Sequence, residues 1–159
     1  MRKKIFAIAV ALCFLFGAQS AKADPDWNDK DVRWYTYEDG FNAAKAQQKP
    51  IVLLFFANWC PHCMKFSTLF HDAKIIDLTK RFVMVRVDVD KNKSISAKHA
   101  PDGNYIPRVY FLSSALQADL SIQAPRPSYK YFYDERSPGG DTPPGSFALS
   151  LEKAAQRLR

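Results

Sequence analysis

A chain of 159 residues, 25% charged and 47% apolar or aromatic, with ten prolines, six glycines and three cysteines, has the composition of one globular domain. It is too apolar for a disordered tail and too short for two full cores. The formal charge of +7 is concentrated at the amino terminus, so it is poor grounds for a nucleic-acid partner.

Arg2, Lys3 and Lys4 precede an apolar run from Ile5 to Phe16, followed by Ala21-Lys22-Ala23, the three parts of a secretory signal peptide. The run is about a dozen residues against the ~20 that cross a bilayer, so no permanent membrane anchor is expected. Residues 1–23 are therefore expected to be a leader and 24–159 the domain. Removing Arg2, Lys3, Lys4 and Lys22 takes the basic count from 23 to 19 against 16 acids, and the charge from +7 to +3. Cys13 leaves with the leader; Leu12 before it is not the small residue that lipid acylation would want.

Residues 24–31 read as a polar lead-in. Val32 to Tyr37 alternates large side chains and predicts a short strand. Glu38 to Gln48 predicts an alanine-rich helix ended by Lys49-Pro50. Ile51 to Ala57 is apolar without alternation, the pattern of a central strand covered on both faces. Asn58 to Cys63 then leads into Met64–Phe70, where Phe66, Leu69 and Phe70 recur at helical spacing. Pro61 suits the first turn of that helix, which places Cys60 at its N-terminus. Ala73 to Phe82 predicts another helix and Val83 to Val89 a second β-branched strand, so the order β-α-β-α-β implies parallel strands.

A polar segment, Lys91 to Gly103, holds a short helix around Ser94 to His99. Ile106-Pro107-Arg108 precedes a strand at Val109–Leu112, with a hairpin partner expected near Leu120 to Ile122. Residues 124–146 are rich in proline, glycine and aromatics and predict a long surface excursion. Phe147 to Leu158 closes the domain as an amphipathic helix with Phe147, Leu151, Ala154, Ala155 and Leu158 on one face.

The two remaining cysteines, Cys60 and Cys63, are separated only by Pro61 and His62. A bond closing so small a loop removes little chain entropy, so stability is a poor reason for the pair and chemistry a better one. A thiol attacks a disulfide as its thiolate, and a free cysteine with a pKa of ~8.5 is mostly protonated at neutrality. At the first turn of a helix Cys60 meets unpaired N–H groups and the positive end of the dipole, and His62 adds a charge or a donor nearby. Cys63, one turn later, is within reach to resolve a mixed disulfide. Stabilising the Cys60 anion favours the dithiol, which makes the closed disulfide a better acceptor of electrons from client thiols.

A strand such as Ile51–Ala57, then Trp59-Cys60-Pro61-His62-Cys63 opening a helix, then Ile106-Pro107 before a later strand, resembles the thioredoxin superfamily. The Pro-His dipeptide is similar to that of the periplasmic oxidant DsbA. Tyr105–Leu112 and Pro127–Tyr133 resemble the anterior-gradient group of small secretory-pathway thioredoxin-like proteins. The resemblance spans nearly all of 32–158 and implies an α/β thioredoxin-like fold, a central mixed sheet flanked by helices. It implies Cys60 as nucleophile, Cys63 as resolving thiol, and Pro107 as a cis-proline beside the disulfide. Ile106 would offer its backbone to an extended client peptide, and Trp59 is either a substrate contact or core packing. Two departures matter. The buried acid that many thioredoxins carry six residues before the first cysteine is here Leu54, which leaves deprotonation of Cys63 to water or His62 and weakens the case for reduction. The chain ends Gln156-Arg-Leu-Arg159 rather than in a retention tetrapeptide, which favours the periplasm, with secretion or the endoplasmic-reticulum lumen as alternatives.

Other readings of the same residues are weaker. A zinc site on Cys60 and Cys63 with His71 or His99 lacks a second close pair, and Met64 stands where a c-type haem would need histidine. Asp88-Val-Asp90-Lys-Asn92 opens like a calcium loop, but Lys93 and His99 occupy the glycine and glutamate positions, so it reads as a strand end and a turn. The Tyr129–Tyr133 run predicts aromatics packed on the domain edge rather than a nucleic-acid surface. The expectation is thus an exported thiol–disulfide oxidoreductase, an oxidant or isomerase before a reductase. Its only cofactor would be its own Cys60–Cys63 disulfide, with no metal. Its partners would be cysteine-containing clients and a redox protein that recycles the pair. The alternative is a client-binding or chaperone module in which the disulfide is structural.

Overall fold

The computed structural model describes residues 24–124, 129–132 and 145–158. The expected leader and most of the 124–146 excursion lie outside the described residues. The elements run β1 (Trp34–Tyr35), α1 (Tyr37–Gln47), β2 (Ile51–Phe56), α2 (Pro61–Ser67), a 3-10 turn (Thr68–His71) and α3 (Ala73–Thr79). They continue with β3 (Val83–Asp88), α4 (Lys93–Lys98), β4 (Arg108–Leu112) and α5 (Gly145–Arg157). The sheet order is β1-β3-β2-β4, with β3 parallel to β1 and β2, and β4 antiparallel to β2. This is the mixed sheet flanked by helices that the motif implied.

Every residue of β2 is buried, and its alternation divides the core into two layers. Val52, Leu54 and Phe56 face an aromatic layer with Phe66 and Phe70 from the α2 region and Phe147 and Leu151 from α5. Ile51, Leu53 and Phe55 face the other layer with Ala44 and Phe41 of α1 and Ile95 of α4. Each large side chain so buried contributes about 1.5–3 kcal/mol, which is why the central strands need no polar alternation. In the aromatic layer the Phe147 ring meets Phe66 at 5.1 Å, Phe132 at 5.3 Å and Phe70 at 5.7 Å, all edge-on.

Local chemistry moves several predicted boundaries. The strand predicted over Val32–Tyr37 shrinks to two residues because Thr36 turns the chain into α1, accepting a bond from the Asp39 amide at 3.3 Å. The run Met64–Phe70 divides into the end of α2 and a 3-10 turn. Asp72 then starts α3 afresh by accepting from the amides of Lys74 and Ile75. The hairpin partner expected near Leu120–Ile122 is not a strand. The chain returns earlier, through a single bridge between Leu112 and Ala118 and a bond from Asp119 N–H to Phe111 C=O. The Asp119 carboxylate then accepts from both the amide and the hydroxyl of Ser121, turning the chain away before a ladder can form.

Where the excursion is described, Tyr129 and Lys130 are exposed as expected, and the next two residues enter the core. Phe132 is fully buried and Tyr131 nearly so, while Val109 N–H donates to Tyr131 C=O at 2.9 Å.

Helix α1 lies so close to the sheet that a Cβ on Gly40 would collide with Cγ2 of Val85 and stand 3.2 Å from Cβ of Tyr35. Gly40→Ala gains ~1 kcal/mol of helix propensity but overpacks by about 1–3 kcal/mol, so a net loss is expected. A urea-unfolding midpoint equal to or above wild type would show that α1 can back away from the sheet.

Candidate active site

Strand β2 points its carboxyl end at the site. Ala57-Asn58-Trp59 turns the chain, with Cys60 N–H donating to Ala57 C=O at 3.2 Å, and Pro61 opens α2. Proline at this position gives up no helical hydrogen bond, and its fixed φ favours the turn. Cys60 is therefore the N-cap, with extended backbone, and its sulfur accepts the amide of Cys63 at 3.1 Å. The sequence predicted a cysteine at the helix start; the structure makes it the capping group itself.

Both thiols are unbonded, so the geometry is that of the dithiol. The pair is strongly asymmetric. Cys60 is lowered from 9.0 to about 7, chiefly because the Cys63 thiol donates to its sulfur, and further by the backbone amides of Cys63 and His62; burial works against this. Cys63 is pushed far up for the reciprocal reason, donation to Cys60, reinforced by burial and by the charge on Cys60. The help expected from His62 thus arrives through its main chain. The imidazole is not among the groups that lower Cys60. Leu54, in the position of the missing acid, is fully buried in the apolar cluster that also holds Cys63.

The second wall of the site comes from the segment before β4. The Ile106–Pro107 bond is cis. Ile106 C=O lies 3.8 Å from the Cys60 sulfur and accepts from it, which places the Ile106 backbone directly against that sulfur. Cys60 itself is only 2% exposed. Trp59 is 58% exposed and so lies outside the core. Its indole N–H is tied to Asp90 at 2.7 Å. Asp90 had been read only as part of a turn; that turn exists, with Asp90 N–H donating to Asp88, but its carboxylate reaches back across 31 residues to orient the tryptophan.

The histidines weighed as metal ligands are engaged elsewhere. His71 lies 3.2 Å from Asp26, and His99 contacts the hydroxyl of Tyr37 at 3.0 Å. No group of three or more potential ligands occurs among the described residues. A cleft of about 510 Å³ is lined by Phe56, Asn58 and Asp88 together with the lead-in residues Asp24, Pro25, Trp27 and Asp29.

Comparisons with known proteins bear on the family and the fold. Anterior gradient protein 2-B of Xenopus laevis is 28% identical over 144 residues, covering 83% of this chain and 84% of that protein. Anterior gradient protein 2 homolog of Homo sapiens is 26% identical over 135 residues, covering 84% and 70%. The solved structure of DsbH oxidoreductase superposes with a TM-score of 0.54 at 21% identity, over 91% of this chain and 94% of that one, and so shares the fold. Residues 33–114 match the thioredoxin-like family. Because that span runs from β1 through β4, and so takes in both cysteines and the cis-proline, the chain belongs to the thioredoxin-like family.

Proposed function

We propose that this protein is an exported thiol–disulfide oxidoreductase that exchanges its Cys60–Cys63 disulfide with protein thiols. The observation that carries the reading is the geometry of the pair, with the Cys60 sulfur as N-cap of α2 accepting the Cys63 amide at 3.1 Å beside Ile106 C=O, and Cys63 buried one turn behind it; this geometry lowers Cys60 and raises Cys63. In the oxidising direction a client thiolate attacks the Cys60 sulfur of the disulfide, forming a mixed disulfide and releasing Cys63, which takes up a proton. A second client thiolate then attacks the client sulfur, closing the client disulfide and expelling Cys60 as its stabilised thiolate. Two electrons pass to the pair, and an oxidising redox partner must remove them.

The same asymmetry favours oxidation and isomerisation over reduction. Reduction needs Cys63 to attack the mixed disulfide as a thiolate, and its apolar surroundings, with Leu54 in place of a proton-accepting acid, oppose that ionisation. Isomerisation needs only Cys60 as nucleophile and leaving group, and a midpoint near ambient pH suits both roles. Trp59 and the Ile106 backbone are the proposed client contacts. Export is supported by the leader-like segment Arg2–Ala23, with the periplasm as the proposed compartment. Among the described residues no helix is long and apolar enough to cross a membrane.

Replacing Cys63 by alanine is expected to trap clients on Cys60 as reducible adducts, visible as bands that collapse under reductant. A Cys60→Ser, Cys63→Ser double variant that retains full effect on client folding would instead favour the binding-module reading.

Iodoacetamide labelling of the dithiol is expected to reach half its maximal rate at about pH 7 and to fall as pH falls, because protonation removes the thiolate. Cys63→Ala should move that midpoint upward, since it deletes the principal donor. His62→Ala should move it less. A larger shift from His62→Ala than from Cys63→Ala would reverse the assignment.

A further inference from the structure

Burying a guanidinium is costly unless its charge and donors are matched, yet Arg108 is 0% exposed. Among the described residues no carboxylate pairs with it. Its hydrogen-bond partners are neutral and lie on the preceding loop and on α4, with the charge of Asp102 as a further favourable influence. One terminal nitrogen donates to Tyr105 C=O at 2.9 Å and Gly103 C=O at 3.4 Å; the other donates to the Ser96 hydroxyl at 2.7 Å and Ser96 C=O at 3.2 Å. The guanidinium also sits 5.0 Å from the ring centroid of Phe55, its cross-strand partner on β2.

Three parts of the molecule thus share one side chain: the strand that delivers Cys60, the loop that delivers Ile106, and α4 beneath them. We infer that Arg108 is a positioning residue, whose planar fork locks the 103–107 loop to Ser96 and to β2 and so fixes the Ile106 backbone against the Cys60 sulfur for client exchange. The inference rests on the exchange chemistry proposed above. A buried charge whose hydrogen bonds go to carbonyls and a hydroxyl, with no ion pair, is a weak device for stability and an apt one for registry, since several acceptors are fixed at once in one plane. Lysine cannot reproduce it, having a single nitrogen for acceptors that the fork meets with two.

The test uses the reduced full domain and two probes. The first is a short peptide whose one cysteine is activated as a mixed disulfide with thionitrobenzoate. Cys60 attacks the peptide sulfur, the peptide is transferred, and the coloured thionitrobenzoate anion leaves. The second is iodoacetamide, which needs the sulfur but not the loop. Arg108→Met and Arg108→Lys are expected to slow peptide transfer at least about tenfold, the scale of a lost positioning contact, with iodoacetamide rates above the midpoint within about twofold of wild type. Their labelling midpoint should fall, because Ile106 C=O accepts from the protonated sulfur and its withdrawal favours the thiolate. Ser96→Ala, which removes only the 2.7 Å bond, should move both readouts the same way by less.

Folded Arg108 variants with wild-type transfer and midpoint would overturn the inference, as would full rescue by lysine, which would make the charge sufficient. If neither Arg108 variant folds, Ser96→Ala decides, and wild-type values there overturn it. A wild-type protein that takes up no peptide overturns the exchange reading and this inference with it; uptake that is indifferent to every variant overturns this inference alone.

Discussion

The structure turns on the convergence of donors at one sulfur. Because Cys60 is the N-cap of α2, the helix needs an acceptor where the chemistry needs an anion, and the Cys63 amide and thiol both supply the bond. Capping and nucleophilicity are thus one interaction seen from two sides. An N-cap contributes ~0.5–2 kcal/mol, so a seven-residue helix capped by a sulfur must be held by other means as well. Phe66, buried among Phe70, Phe132 and Phe147, supplies that hold.

The rest of the fold supports this arrangement. Two buried layers fix β2, β2 fixes the turn at Ala57–Trp59, and the antiparallel pairing of β4 with β2 brings the cis-proline segment alongside. Neither wall of the site is made by an element standing alone. Trp59 depends on Asp90 at the end of β3, and Ile106 depends on a loop braced from below by α4.

What the sequence disclosed, and what it hid, follows from the range of the interactions. The spacing of Cys60 and Cys63 around Pro61 encodes a helical turn by itself. The unbroken Ile51–Ala57 run encodes a doubly covered strand, and the period of Phe147–Leu158 encodes one buried helix face. Each is written within a few consecutive residues. Arg108 was opaque because a charged residue beside a strand ordinarily reads as surface, and what makes its burial tolerable lies on Ser96, Gly103 and Tyr105. Asp90 was opaque for the same reason, its partner being 31 residues away. His62 differs in kind: its amide also lowers Cys60, a contribution that any residue but proline would provide and that its side-chain chemistry does not announce.

The outer side of β4 has a further consequence. Its main-chain groups are occupied by the chain's own return, with Val109 N–H on Tyr131, Phe111 C=O bound by Asp119 and Ser113 N–H on Gln117. At the opposite margin β1 is only two residues long. Unpaired strand margins invite addition of foreign strands and, with it, aggregation. Between an occupied margin at β4 and a two-residue strand at β1, the sheet offers an approaching polypeptide little backbone to extend.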